Sequence, residues 1–164
     1  EMQRSLVGSE MCIRDSDIGV YALSVIRCFF DSKPDNMLSQ LKTAPTGVDE
    51  QASLLLSDKE GQMATVMLSL HSKQPKRAMI SCENGYIEIM EYPRAWEAKI
   101  TYTDGRTELV SAGENSDALY YEITDMEKAV NGDKNVICLD YTADVMEIMT
   151  RFRQEHGIIY PEEE

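Results

Sequence analysis

Two dipeptides constrain this chain more than any other feature. Asn84-Gly85 and Asp104-Gly105 each separate two runs in which apolar and polar residues alternate. A tight two-residue hairpin needs positive φ at both central positions, which Gly adopts freely and Asn or Asp tolerates. Each dipeptide therefore predicts a β-hairpin, the first joining residues 78–83 to 86–91 and the second joining 96–103 to 106–110. A third pairing, 50–57 with 62–70, turns across 58–61, and a further strand over 37–43 is expected beside it. The middle of the chain thus reads as one antiparallel sheet.

Alternation assigns the faces of that sheet. One face collects Ala52, Leu54, Leu56, Ala64, Val66, Leu68, Leu70, Ile80, Ile87 and Ile89; the other collects Ser53, Met63, Thr65, Met67, Met79, Tyr86, Glu88 and Met90. Trp96, Ala98, Ile100 and Tyr102 join whichever face their register selects. Helical spacing surrounds the sheet. Ile18, Ala22, Val25, Ile26 and Phe29 recur at three-to-four intervals, as do Leu119, Ile123, Met126 and Val130 up to Gly132. A last helix runs through Tyr141, Val145, Ile148, Met149 and Phe152, with Asp140 as its N-cap and Gly157 as its stop. The fold class is α+β, an open-faced and mostly antiparallel sheet with helices on one face. The mixed, methionine-bearing face is left for an interface, because methionine adapts to irregular partners.

A chain of 164 residues with 43% hydrophobic content can bury one core. A net charge of -13 opposes nucleic-acid binding, and the only basic cluster, Lys73, Lys76 and Arg77, flanks Pro75 in what reads as a solvated loop. Apolar runs fall short of the roughly 20 residues that span a bilayer, and no signal-peptide pattern opens the chain, so a soluble cytoplasmic protein is expected. Cysteines at 12, 28, 82 and 138 show no C-x-x-C spacing and only two histidines accompany them. No zinc site, other metal or disulfide framework is predicted; Cys28 and Cys82 read as buried reduced thiols.

Asp17 and Tyr21 stand one helical turn apart, so their side chains share a face. One reading is chemistry by a carboxylate and a phenol; the other is a first-turn acid favoured by the helix dipole beside a half-buried packing tyrosine. The rest of the chain bears on that choice. Asp17-Ile18-Gly19-Val20-Tyr21, Thr46-Gly47-Val48-Asp49-Glu50-Gln51, Asn84-Gly85-Tyr86-Ile87-Glu88-Ile89, Tyr121-Glu122-Ile123 and Gly157-Ile158-Ile159-Tyr160-Pro161 occur in that order. In this the chain resembles the C-terminal domain of the Gfo/Idh/MocA oxidoreductases, and Tyr21, where many members carry His, resembles the dihydrodiol dehydrogenase branch.

The resemblance implies a C-terminal fragment of an enzyme that oxidises a secondary alcohol of a sugar, polyol or trans-dihydrodiol by hydride transfer to NAD or NADP. It implies Tyr21 as the proton-transfer residue and Asp17 as the group that orients the substrate hydroxyl or the phenol. A phenol in water ionises near pH 10, at about the value of free tyrosine, so a neighbouring lysine charge would be needed. Gly19 either admits close approach of cofactor or substrate, or simply packs the helix. The family's dinucleotide-binding domain, with its Gly-rich turn and a catalytic lysine in Glu-Lys-Pro, has no counterpart here, since the chain contains no G-x-G-x-x-G. The fragment is expected to bind NAD(P) weakly and not to turn over alone. Family members associate through the open sheet face, which implies a homodimer or tetramer. The competing class is a non-catalytic binding or dimerisation module that uses the same face.

Gln3 to Ser16 reads like a translated sequencing adapter, whereas the family places a Gly-rich approach before Asp17. Residues 1–16 are therefore expected to be an artefactual or disordered leader, and 17–164 the substrate-binding and oligomerisation domain. Other residues are expected to be bland. His71 reads as a loop histidine, His156 as a cation at a helix end, Trp96 as packing or interface and Glu122 as a helix-fixing acid. Asp49 and Glu50, adjacent in a strand, point to opposite faces and cannot share an acid-base site.

Overall fold

The computed structural model describes residues 18–45, 49–69, 72–133, 136 and 138–158. Asp17, the leader, residues 46–48, Leu70, His71 and the end of the chain from 159 lie outside the described residues. The chain divides into two compact units, one formed by residues up to Gln74 together with those from Tyr141 onward, the other by Pro75–Asp140.

The first unit contains helix α1 (Val20–Phe29), strands β1 (Asn36–Thr43), β2 (Asp49–Ser57) and β3 (Met63–Ser69), and nearly all of helix α3 (Leu139–Glu155). The strands form an antiparallel sheet in the order β1-β2-β3. Register places Met37, Leu56 and Ala64 in one cross-strand row, Ser39, Leu54 and Val66 in the next, and Leu41, Ala52 and Leu68 in a third. These rows share the inner face. Leu23 of α1 and Val145, Ile148 and Phe152 of α3 pack with Ala52, Leu54, Leu56, Val66 and Leu68 to make the core. Each fully buried Leu, Val or Phe contributes roughly 1.5–3 kcal/mol, so this layer supplies the unit's cohesion. The outer rows, Leu38-Leu55-Thr65 and Gln40-Ser53-Met67, follow the predicted alternation.

The second unit contains β4 (Arg77–Cys82), β5 (Gly85–Met90), β6 (Glu97–Tyr102), β7 (Thr107–Ser111) and helix α2 (Ala118–Val130). Its sheet runs β4-β5-β6-β7, all antiparallel. There are consequently two sheets where one was expected. The connection from 70 to 76 carries Lys73, Lys76 and a proline with no N–H to give a ladder, so β3 and β4 do not pair. Register settles the open question for β6. Ile80, Ile87, Ile100 and Glu108 form one row, which sets Ala98, Ile100 and Tyr102 on the isoleucine face.

The turns obey the glycines rather than the dipeptides. Glu91 is the only non-glycine with positive φ among the described residues, so Asn84 and Asp104 keep negative φ. Gly85 already belongs to β5, where a Cβ would lie 2.1 Å from the Thr101 carbonyl oxygen; close strand approach demands glycine there. Gly105, at φ 85°, closes a longer turn in which the Arg106 N–H donates to Asp104 Oδ1 at 2.9 Å. Three further expectations are corrected. Cys28, on the outer side of α1, and Cys82, at the end of β4, are exposed. Asp140 sits in the first turn of α3, which begins at Leu139, and is not its N-cap. Leu119, Ile123, Met126 and Val130 are between 59% and 79% exposed, because nothing in the described chain covers that stripe of α2.

Candidate functional site

Helix α1 presents two unlike faces. Gly19, Leu23 and Arg27 recur at four-residue spacing and are buried, whereas Tyr21, Cys28 and Phe29 face outward. Tyr21 is 48% exposed, and among the described residues no hydrogen bond engages its hydroxyl. The structure thus leaves this phenol approachable. Its sequence partner, Asp17, lies outside the described residues, so their meeting is not part of the geometry.

Gly19 has a definite setting. It lines an apolar crevice with Leu23, Leu54, Val66, Leu68, Met149 and Phe152, where no donor, hydroxyl or cation is present. A dinucleotide pyrophosphate needs free N–H groups at a helix N-terminus and space for charge. The crevice offers neither, so Gly19 is a packing glycine, and these residues do not fit a dinucleotide phosphate.

Arg27 is the residue that sequence reasoning passed over, although an arginine between Ile26 and the Phe29-Phe30 pair was a usable signal. Its Nε donates to Asp144 Oδ2 at 2.7 Å and its Nη1 to the Phe30 carbonyl at 3.0 Å. The guanidinium also lies 4.1 Å from the centre of the Tyr141 ring. Every strong contact of the cation is thereby met, as burial requires. Lys33 pairs with Glu147, and Arg151 Nη1 donates to the Asp35 carbonyl at 3.0 Å. Asp144, Glu147 and Arg151 follow one stripe of α3, so the three contacts bind this helix to α1 and to the connection that follows it. Their role is anchorage.

A second cluster joins α3 to β1. Ser39 Oγ donates to Glu155 Oε2 at 2.8 Å and lies 2.9 Å from His156 Nε2. The hydroxyl has one hydrogen; once it is given to Glu155, the histidine N–H must be the donor to Ser39 Oγ. The arrangement runs opposite to that of a serine activated by a base. The His156 ring also rests on Phe152, with centroids 4.6 Å apart.

Asp58 holds the β2–β3 turn. Its Oδ1 accepts the Glu60 and Gln62 N–H groups at 3.0 and 2.8 Å, and its Oδ2 accepts the Ser32 hydroxyl at 3.1 Å. Burial opposes its ionisation, but these donors outweigh burial and hold the carboxyl below the usual aspartate range. In the second unit, Tyr102 Oη donates to Glu108 Oε2 at 2.9 Å, and this hydrogen bond with the adjacent charge raises its phenol above the ordinary value. Neither group faces a cleft. Among the described residues no three His, Cys, Asp or Glu side chains gather as a metal-holding group, and no helix is long and apolar enough to cross a membrane.

The fold defines a class first: an α+β domain with antiparallel strands set between helices. Residues 15–88 match the model of the GFO/IDH/MocA C-terminal domain, which places the chain in the GFO/IDH/MocA family. Solved structures agree in fold. UDP-N-acetylglucosamine 3-dehydrogenase GnnA from Acidithiobacillus ferrooxidans is 19% identical, with a TM-score of 0.70 over 88% of this chain and 49% of its own. A protein assigned as an oxidoreductase from Erwinia carotovora atroseptica is 14% identical, with a TM-score of 0.65 over 84% of this chain and 46% of its own. Another from Thermotoga maritima is 18% identical, with a TM-score of 0.59 over 83% and 42%. The chain therefore spans about half the length of the solved structures it matches. No curated protein matches it in sequence.

Proposed function

We propose that residues 17–164 are the substrate-binding and oligomerisation part of a cytoplasmic oxidoreductase that oxidises a secondary alcohol of a sugar, polyol or trans-dihydrodiol. NAD or NADP, held by a dinucleotide-binding domain outside this chain, supplies the hydride acceptor. Tyr21 receives the proton of the substrate hydroxyl, and Asp17 orients that hydroxyl or the phenol. The observation that carries the reading is the outward-facing Tyr21 phenol on α1, in a domain of this family. The apolar setting of Gly19 supports assigning the cofactor phosphates elsewhere. On this reading the chain alone does not turn over.

Self-association is assigned to the outer face of the β1–β3 sheet. Leu38, Met63 and Met67 are largely exposed there, an adaptable apolar surface suited to a homodimer or tetramer. The same surface favours a second reading, a non-catalytic binding or dimerisation module. Sequencing the source DNA through the codons for Ser16 and Asp17 separates the two. Continuous coding sequence for a Gly-rich βαβ unit with Glu-Lys-Pro supports the enzyme; an unrelated upstream sequence supports the module. In the restored enzyme, Tyr21→Phe is expected to slow hydride transfer by about 100-fold or more, the usual scale of a lost acid-base group. An unchanged single-turnover rate would remove Tyr21 from the mechanism.

A further inference from the structure

The exposed stripe of α2 has a regular phase. Leu119, Ile123, Met126 and Val130 are separated by four, three and four residues, the d-a-d-a spacing of a heptad seam. Ile and Val occupy the a positions and Leu and Met the d positions, so β-branched and unbranched side chains alternate along the seam. The half-buried residues of α2, Ala118, Thr124, Asp125 and Ala129, lie away from it. The helix is thus attached to its surroundings on one side and presents its apolar line to solvent on another.

Charges flanking the seam select its occupant. In heptad terms the seam is bordered by Tyr120 and Glu127 at e and by Glu122 and Ala129 at g. A parallel pairing of two such helices would set Glu122 of each against Glu127 of the other, a like-charge contact on both sides. An antiparallel pairing sets Tyr120 against Glu127 and Glu122 against Ala129, which removes both repulsions and opposes the two helix dipoles. The layers then close without remainder, Leu119 facing Val130 and Ile123 facing Met126. We infer that α2 is a self-association element, its seam packing antiparallel against α2 of a second copy of this chain. At 13 residues the helix is about 20 Å long, so the contact is short and of low affinity by itself. It uses none of the residues of the β1–β3 outer face and stands whether or not the chain belongs to an enzyme.

Disulfide trapping tests the geometry. In the full chain with Cys12, Cys28, Cys82 and Cys138 replaced by serine, Ile123→Cys and Met126→Cys variants are oxidised separately and as a mixture. The inference expects the mixed disulfide, joining position 123 of one copy to position 126 of the other, to dominate in the mixture. Predominant self-linking of either variant would mean parallel packing, and no link at all would mean no packing; each overturns the inference. Sedimentation equilibrium gives an independent reading. Ile123→Lys, on an exposed position that leaves the fold and its circular dichroism unchanged, is expected to weaken self-association by about tenfold or more. An unchanged association constant overturns the inference even if the sheet face also associates, because a Met67→Lys variant reports that face separately.

Discussion

The two units are built from similar sequence and end in different physical states. Both are antiparallel sheets with alternating strands, and both own a helix with an apolar stripe. In the first, the inner face meets α1 and α3, and Leu56, Val145, Ile148 and Phe152 lose nearly all contact with water. In the second, no described residue is fully buried, the isoleucine row remains half-covered, and the stripe of α2 stays in solvent. Amphipathic pattern creates surfaces that can be buried; burial itself requires two such surfaces to face each other. Only the first unit satisfies both conditions from its own chain, so stability should reside there and adaptability in the second.

Substitution of equivalent apolar residues probes that contrast most strongly. Phe152→Ala is expected to lower the unfolding free energy by about 3–5 kcal/mol, whereas Ile100→Ala in the half-covered row should cost less than about 2 kcal/mol. Urea denaturation followed by tryptophan fluorescence and circular dichroism measures both, and equal losses would erase the distinction. Ion pairs extend it. Removing Asp144 strands the buried Arg27 and should cost about 2–4 kcal/mol, while Asp125→Ala, which frees an exposed Lys128, should leave the unfolding midpoint in place.

The smallest effect concerns pH. Because the folded-state carboxyl of Asp58 lies below its unfolded value, its contribution is fully present above the unfolded pKa, near 3.8. That contribution falls away as pH drops through the still lower folded value. Acid titration of stability should therefore steepen below about pH 4, and Asp58→Asn should flatten that limb. A mutant with an unchanged acid limb would assign the steepening to other carboxylates.

The hairpins, their order and both faces of β2 and β3 are legible in the sequence, because alternation and glycine act over a few residues. The division of the strands into two sheets at 70–76 is not, since pairing partners are chosen over longer distances. Periodicity identifies α2 but does not tell whether anything covers Leu119 and Ile123. Apolar neighbours suggest burial for Cys28, yet a one-position rotation around α1 separates it from Arg27, which is buried. At the candidate site, Tyr21 is legible as a residue on a helix face. The choice for Gly19 between packing and close approach needs the crevice around it. Asp58 and the Ser39–His156 contact leave no trace in the pattern because their partners are remote in sequence or belong to the backbone.

The first unit is also discontinuous, since α3 returns to the sheet only after the whole of Pro75–Asp140 has intervened. Its nucleus therefore has high contact order, and a long loop must close before Val145, Ile148 and Phe152 reach Leu54 and Leu56. During synthesis the sheet and α1 leave the ribosome first, with their inner face still wet. The residues that seal it are among the last to be made, so the nascent chain must carry an unsealed apolar face through most of its own translation.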